Sequence, residues 1–390
     1  MPENSDKKSL EGENTQVIFV KRPESGPINP DEVFKIVKTP IPKEEDIPHE
    51  HVLVKVLYLS LDPESFNLRK QCVVGWRTKE GINRSNMYIV GIYAKYSQFN
   101  GQFVFEIIQL YKANLNEVMR GATVAEVIIS KNPNFQPGDK VQGFHGWQAY
   151  AVANGKDLIK LNPPPGASLS DYLGLFGITG LTAYFGLLDI GKPVAGETVV
   201  VSGAAGATGS VVGQIAKIKG CRVIGTAGTQ EKCEFLEKEL GFDVALNYRD
   251  PDFAQKLKAA TPNYINVFFD NVGGDILDLC LTRIATKARI VLCGAISQYN
   301  EKNRKGPAFY TALIINRAKM EGFIVMDYQD RWSEARHDLI EWFKEGKLKG
   351  REHVIKGLEN APDGLLQLFA GKNTGKMVVK VAEPSVMSSL

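Results

Sequence analysis

Cysteine is scarce in this 390-residue chain: Cys72, Cys221, Cys233, Cys280 and Cys293 are scattered, odd in number and never arranged Cys-x-x-Cys. That excludes a disulfide framework, and three of the five lie in apolar runs, as reduced thiols of the cytoplasm would. Histidine is equally sparse. His49, His51, His145, His337 and His353 read as isolated or surface-like, and with no clustered cysteines they supply no zinc ligand set, structural or catalytic. No Ser-His-Asp or Cys-His set can be read either, so covalent catalysis has no support. Long hydrophobic runs are missing: nothing reaches membrane-spanning length, and Met1 to Asn14 is polar without the apolar core of a signal peptide. An excess of charge is missing as well. The 47 Lys+Arg and 44 Asp+Glu leave +3, with no basic run interleaved with aromatics, which argues against nucleic acid and for small-molecule partners.

What is present centres on Thr198-Val199-Val200-Val201-Ser202-Gly203-Ala204-Ala205-Gly206-Ala207-Thr208-Gly209, followed by a helical pattern through Lys217. Three valines in a row predict a strand buried on both faces, and the small residues after it lead into a helix start. Such a turn lets backbone N–H groups touch a pyrophosphate at a helix N-terminus. Gly203, Gly206 and Gly209 are spaced G-x-x-G-x-x-G, so Ala204 stands where the usual dinucleotide fingerprint has its first glycine. The next apolar run, Arg222 to Ala227, ends in Gly228-Thr229-Gln230-Glu231-Lys232. An NAD site would place an acid at that strand end; a lysine one helical turn on suits a 2′-phosphate, so the residues favour NADP(H).

In chain order, residues 1–14 read as a disordered tail and 15–165 as a β-rich unit. Residues 166–330 read as a nucleotide-binding unit, and 331–390 as a return to the first. In the β-rich unit, strands are expected at 16–20, 34–38, 51–60, 122–130 and 140–153, and the aromatics of Gly143 to Tyr150 read as barrel core or as a cleft wall. Residues 64–115 fit poorly: they lack a clear period and hold an aromatic-rich run, and a structureless loop of that size is itself unusual. A helix is expected over 172–188. Strands are expected near 198–202, 222–227, 244–248, 265–271, 288–294 and 321–326, with helices between them. Six strands so arranged make a doubly wound parallel sheet, and ligands bind at the strand ends. A helix at 332–344 and a strand at 377–381 follow.

Several phrases then carry a resemblance over nearly the whole chain outside 64–115. They are Leu59-Ser60-Leu61-Asp62-Pro63, Gly146-Trp147-Gln148-x-Tyr150, Gly180-Leu181-Thr182-Ala183-Tyr184, the 204–209 loop, Phe269-Asp270-Asn271-Val272-Gly273-Gly274, Cys293 to Asn300, and Gly371-Lys372-Asn373-x-Gly375-Lys376. Together they resemble the zinc-lacking branch of the medium-chain dehydrogenase/reductase superfamily, in particular its alkenal/one (double-bond) reductases. The resemblance implies a Rossmann unit set into a discontinuous GroES-like β domain. It also implies NADPH-dependent, metal-free reduction of the C=C bond of an α,β-unsaturated aldehyde or ketone, and a homodimer. Carried onto this chain, it implies that Ala205, Gly206, Ala207, Thr208 and Gly209 hold the pyrophosphate and Lys232 the 2′-phosphate. Tyr248 and Asn271 then line the adenosine and ribose side, Cys293, Ser297 and Tyr299 border the nicotinamide, and Phe323, Val325 and Asn373 complete the contacts.

Three departures bear on mechanism. Phe268 stands where the family usually has a tyrosine thought to stabilise the enolate, and Glu64 replaces a second tyrosine. A phenyl ring cannot donate to an oxyanion, which leaves Tyr299, the nicotinamide ribose hydroxyl or water. The 64–115 stretch is longer than the family needs, and a retained intron over about 90–115 is one reading. Two alternatives stay open: an NADPH quinone reductase, and an NADPH-binding protein without turnover.

Overall fold

The β-rich part is organised on the strand His51–Ser60, which pairs antiparallel with Thr123–Ser130, Tyr150–Asn154 and Lys376–Lys380. The computed structural model describes residues 12–23, 28–63, 113–299, 301 and 305–385, and the backbone alone of six short strands between 72 and 108. The last strand, Lys376–Lys380, brings the C-terminal segment back into the first sheet, with Val379 opposite Leu59. A three-stranded sheet sets Glu13–Phe19 between Phe34–Pro40 and Glu117–Val118. Glu13 and Asn14 therefore belong to a strand and not to the expected tail, because the buried Asn14 amide bonds the N–H and the carbonyl of Tyr150.

The expected strand 140–153 is two, Lys140–Gly143 and Tyr150–Asn154. Between them Trp147 turns into the core beside Val17, Phe19, Leu59 and Met119 and stacks on Phe34 at 5.3 Å, while Phe144 stays exposed. Nearby, Lys376 is buried and donates to Asp62 at 2.5 Å, and the Ser60 hydroxyl donates to the same carboxylate. Two of the sequence phrases, Leu59 to Pro63 and Gly371 to Lys376, are thereby one structural unit.

The nucleotide-binding unit has strands β1 (Thr198–Val201), β2 (Arg222–Ala227), β3 (Val244–Asn247), β4 (Ile265–Asp270), β5 (Ile284–Leu292) and β6 (Lys319–Gly322). All are parallel, in spatial order β3-β2-β1-β4-β5-β6. Val199, Val200 and Val201 are fully buried because apolar clusters cover both faces of β1. The strand order reverses between β1 and β4, so the crevice of a doubly wound sheet opens at their C-terminal ends. Among the described residues, no helix is long and apolar enough to cross a membrane.

β5 begins at Ile284 and ends at Leu292 where 288–294 was expected, and two further boundaries differ. β6 ends at Gly322, and Val325–Arg331 is a 3₁₀ helix, because Phe323 leaves the sheet to pack edge-on against Phe269 and over Gly186. The helix expected over 172–188 is a 3₁₀ turn (Leu169–Leu173), an α-helix (Ile178–Phe185) and a π-helical turn (Gly186–Gly191). Gly177 and Gly180 lie against the carbonyls of Tyr172 and Leu175, so the small residues serve this internal contact.

Within 64–115, the strands Tyr93–Phe99 and Gln102–Ile108 pair antiparallel as their own two-stranded sheet. Two paired strands thus lie where no clear period was read. Glu64 lies outside the described residues, as do 90–92, 100–101 and 109–112 of the segment read as intron-derived.

His145 corrects the reading of the histidines. It is buried in the β-rich part, bonded through Nδ1 to the Thr123 hydroxyl, and Nε2 has no partner. Burial pushes the imidazole down to about 4 from an ordinary 6.5. The unfolded chain therefore binds a proton between those values that the folded chain refuses, and stability rises with pH across that window. Its contribution is complete above about pH 6.5 and lost as pH falls towards 4, of the order of 3 kcal/mol. Denaturant melts of His145→Gln should show a shallower loss of stability from pH 7 to 4 than wild type; equal slopes would remove His145 as the cause.

Candidate cofactor cleft

The loop after β1 is shaped by two glycines. Gly203 has φ of +57°, a region that side chains disfavour. A Cβ on Gly209 would sit 2.5 Å from the Gly203 carbonyl oxygen, so the helix Ala207–Ile218 reaches the loop only because that side chain is missing. Gly206 is the N-cap residue, with no side-chain cap, and Ala207 and Thr208 open the helix, whose first-turn N–H groups face the crevice at the strand ends. A pyrophosphate fits this cradle.

Asp270, at the end of β4, fixes the opposite wall. Its fully buried carboxylate accepts from the Ser202 hydroxyl at 2.7 Å and from the N–H groups of Val272 and Gly273 at 3.0 Å. The Ser202 hydroxyl accepts from Asn271 N–H, and the Asn271 side chain donates to the Ser202 carbonyl at 2.7 Å. Desolvation raises the Asp270 carboxyl, and its donors oppose that rise. The Asp270 carbonyl in turn accepts from the N–H groups of Cys293 and Gly294. One residue thus ties together the ends of β1, β4 and β5.

The segment after β5 lies over this junction. Ser297 donates to the Val272 carbonyl at 2.6 Å, and the half-buried Tyr299 folds back so that its hydroxyl accepts from Ala295 N–H at 3.2 Å. Phe268 faces the other way. It is fully buried with Val200, Ile224 and Ile290, so a residue here presents no polar group to the crevice. Phe323 and the buried Val325 pack with Phe269 in the core on the opposite face of the sheet.

The C-terminal turn closes the crevice from the β-rich side. Gly375 N–H donates to the Ala205 carbonyl at 2.7 Å, and buried Asn373 holds that turn through the Gly375 carbonyl. Lys232 follows a Thr229 cap and donates to the Gly371 carbonyl at 2.6 Å. Burial, then the nearby Arg249, hold its ammonium below the ordinary lysine value. Tyr248 lies beside Gly228. The expected residues thus form two groups, the glycine loop with Asn271, Cys293, Ser297 and Tyr299, and Lys232 with Tyr248; the turn at Gly371 to Gly375 links them. Sequence reasoning missed Arg249, the Asp270–Ser202 lock and the role of Gly375. The Asp-Asn-Val-Gly-Gly phrase was a visible signal for the lock. Among the described residues, no group of three or more His, Cys, Asp or Glu is placed to hold a metal ion.

A parallel sheet with a glycine-cradled crevice closed by a β-rich unit defines a dinucleotide-dependent oxidoreductase. Family models for zinc-binding dehydrogenases and for an oxidoreductase N-terminal domain match residues 207–342 and 107–161. The chain is 44% identical to the NADPH-dependent curcumin reductase of Escherichia coli, over 69% of this chain and 79% of that protein. It is 36% identical to the NADP(+)-dependent 2-alkenal reductase of Nicotiana tabacum, over 87% of this chain and 99% of that protein. The crystal structure of CurA from Vibrio vulnificus in complex with NADPH matches with a TM-score of 0.78 and 38% identity, over 95% of this chain and 100% of that one. A Pseudomonas syringae quinone oxidoreductase structure, at 20% identity, shares the fold alone. The chain belongs to the medium-chain dehydrogenase/reductase family, among its alkenal and enone reductases, and is an NADP-dependent oxidoreductase.

Ser202→Ala removes one donor from a buried carboxylate and leaves the Asn271 backbone N–H without its acceptor, while the Asn271 side-chain bond to the residue 202 carbonyl stays. We expect a loss of about 1–3 kcal/mol in denaturant unfolding and weaker NADPH binding in a fluorescence titration. Unchanged stability and affinity would show that the lock is dispensable.

Proposed function

We propose that the protein uses NADPH to reduce the C=C bond of α,β-unsaturated aldehydes and ketones without a metal. The observation that carries this is the joining, in one crevice, of the glycine loop and Lys232 with the Cys293 to Tyr299 segment; the names of the curcumin and 2-alkenal reductases support it. Quinone reduction is not favoured, since the quinone oxidoreductase similarity is one of fold.

Bound NADPH supplies the hydride. Ala205, Gly206, Ala207, Thr208 and Gly209 hold its pyrophosphate by backbone N–H groups, and Lys232 binds the 2′-phosphate. Tyr248 and Asn271 line the adenosine and ribose side. Cys293, Ser297 and Tyr299 border the nicotinamide, with Phe323, Val325 and Asn373 completing the contacts. Hydride addition to the β carbon of an enone leaves charge on the carbonyl oxygen, which needs a hydrogen-bond donor. With Phe268 turned into the core, Tyr299 is the side chain we assign to that role. The Rossmann unit runs over 166–330 and the β-rich unit over 13–165 and 331–390. We also propose a cytoplasmic homodimer, supported by exposed Phe309, Tyr310, Ile314 and Ile315 near the edge strand β6.

The test is NADPH oxidation with a panel of enals, enones and quinones, with products identified and NADH in parallel. Saturated carbonyl products with NADPH preferred are expected; quinone turnover alone, or binding without oxidation, would overturn the reading. In Tyr299→Phe, kcat should fall about 100-fold while the KM for NADPH holds. A monomer in sedimentation equilibrium would remove the homodimer.

A further inference from the structure

Lys232 does not stand alone at the adenosine end of the crevice. We propose that Arg249 is the second cation of the 2′-phosphate subsite and sets the preference for NADPH over NADH. This rests on the NADP(H) reading and adds to it a residue from a different strand.

Three observations converge. The first is placement. β2 and β3 are neighbours, with Ala227 opposite Asn247, so Lys232 just beyond the end of β2 and Arg249 just beyond the end of β3 flank the same opening. The Arg249 guanidinium lies 5.8 Å from the centroid of the Tyr248 ring. That ring lies so close to Gly228 that a Cβ there would meet the Tyr248 hydroxyl at 2.8 Å. Gly228 precedes Thr229, whose hydroxyl accepts from the Lys232 N–H. Tyr248 and Gly228 therefore form the floor between the two cations.

The second observation is the missing counter-charge. Among the described residues, neither Lys232 nor Arg249 is ion-paired with a carboxylate. The adjacent Asp250 is taken by Lys256 at 2.7 Å. Lys232 bonds a neutral acceptor, the Gly371 carbonyl, with one of its three protons. The third is repulsion, since Arg249 is the charge that disfavours the protonated form of Lys232, after burial. Two cations held side by side without an acid gain most from a dianion placed between them. A ribose 2′-phosphate is a dianion with three acceptor oxygens, and a guanidinium presents paired N–H groups that match two of them. A plain ribose 2′-hydroxyl offers neither charge nor those acceptors, so NADH gains nothing from Arg249.

The experiment is isothermal titration of the full chain with 2′,5′-ADP and with 5′-AMP, repeated with NADPH and NADH, in wild type, Arg249→Gln and Arg249→Lys. Arg249 is exposed on a strand end, and thermal melts would confirm that the variants fold. Arg249→Gln should weaken 2′,5′-ADP and NADPH about 10-fold or more, leave 5′-AMP and NADH unchanged, and flatten the salt dependence of 2′,5′-ADP binding. Arg249→Lys should recover part of the loss. If Arg249→Gln weakens the phosphorylated and unphosphorylated ligands equally, or neither, the proposal is overturned. If wild type itself fails to prefer 2′,5′-ADP over 5′-AMP, the Lys232 assignment falls, and the Arg249 proposal with it.

Discussion

The buried carboxylate of Asp270 is the constraint on which the crevice depends. A charge so deep in a protein is tolerated only when hydrogen bonds replace its water, and here the Ser202 hydroxyl and two backbone N–H groups do so. Those donors belong to the end of β1 and to the turn after β4. Meeting the demand of one carboxylate therefore fixes the relative height of β1 and β4 at the point where the sheet changes direction. The loop after β5 inherits that position through the Asp270 carbonyl.

A second set of contacts closes the crevice from the β-rich side. Gly375 is bonded to the glycine loop and Gly371 to Lys232, while Lys376, one residue on, is buried against Asp62. Six consecutive residues, 371–376, thus touch the glycine loop, Lys232 and the barrel.

Much of this was legible in the sequence. Val199 to Val201 marked a strand buried on both faces, Gly203 and Gly209 marked the turn, and the return of Lys376–Lys380 to the first sheet followed from its β character. What was not legible has a physical cause in each case. The end of β6 depends on Phe323 choosing the core over the sheet, and apolar character alone cannot distinguish the two. His145 reads as an isolated histidine until Thr123, 22 residues earlier, is brought beside it. Phe268 reads as a missing donor from its neighbours in the phrase, yet strand alternation turns it to the opposite face. Arg249 shows no motif, and only the pairing of β2 with β3 places it near Lys232.

Leu61 and Ala113, which bracket the long stretch from 64 to 112, are buried in the same hydrophobic cluster. Both ends are fixed, one by Lys376 and the other by Arg22, which donates to the Ala113 carbonyl. For a segment whose ends are pinned in this way, each doubling of length adds only about 0.6 kcal/mol of closure entropy. The scaffold is therefore nearly indifferent to how many residues lie between the two ends.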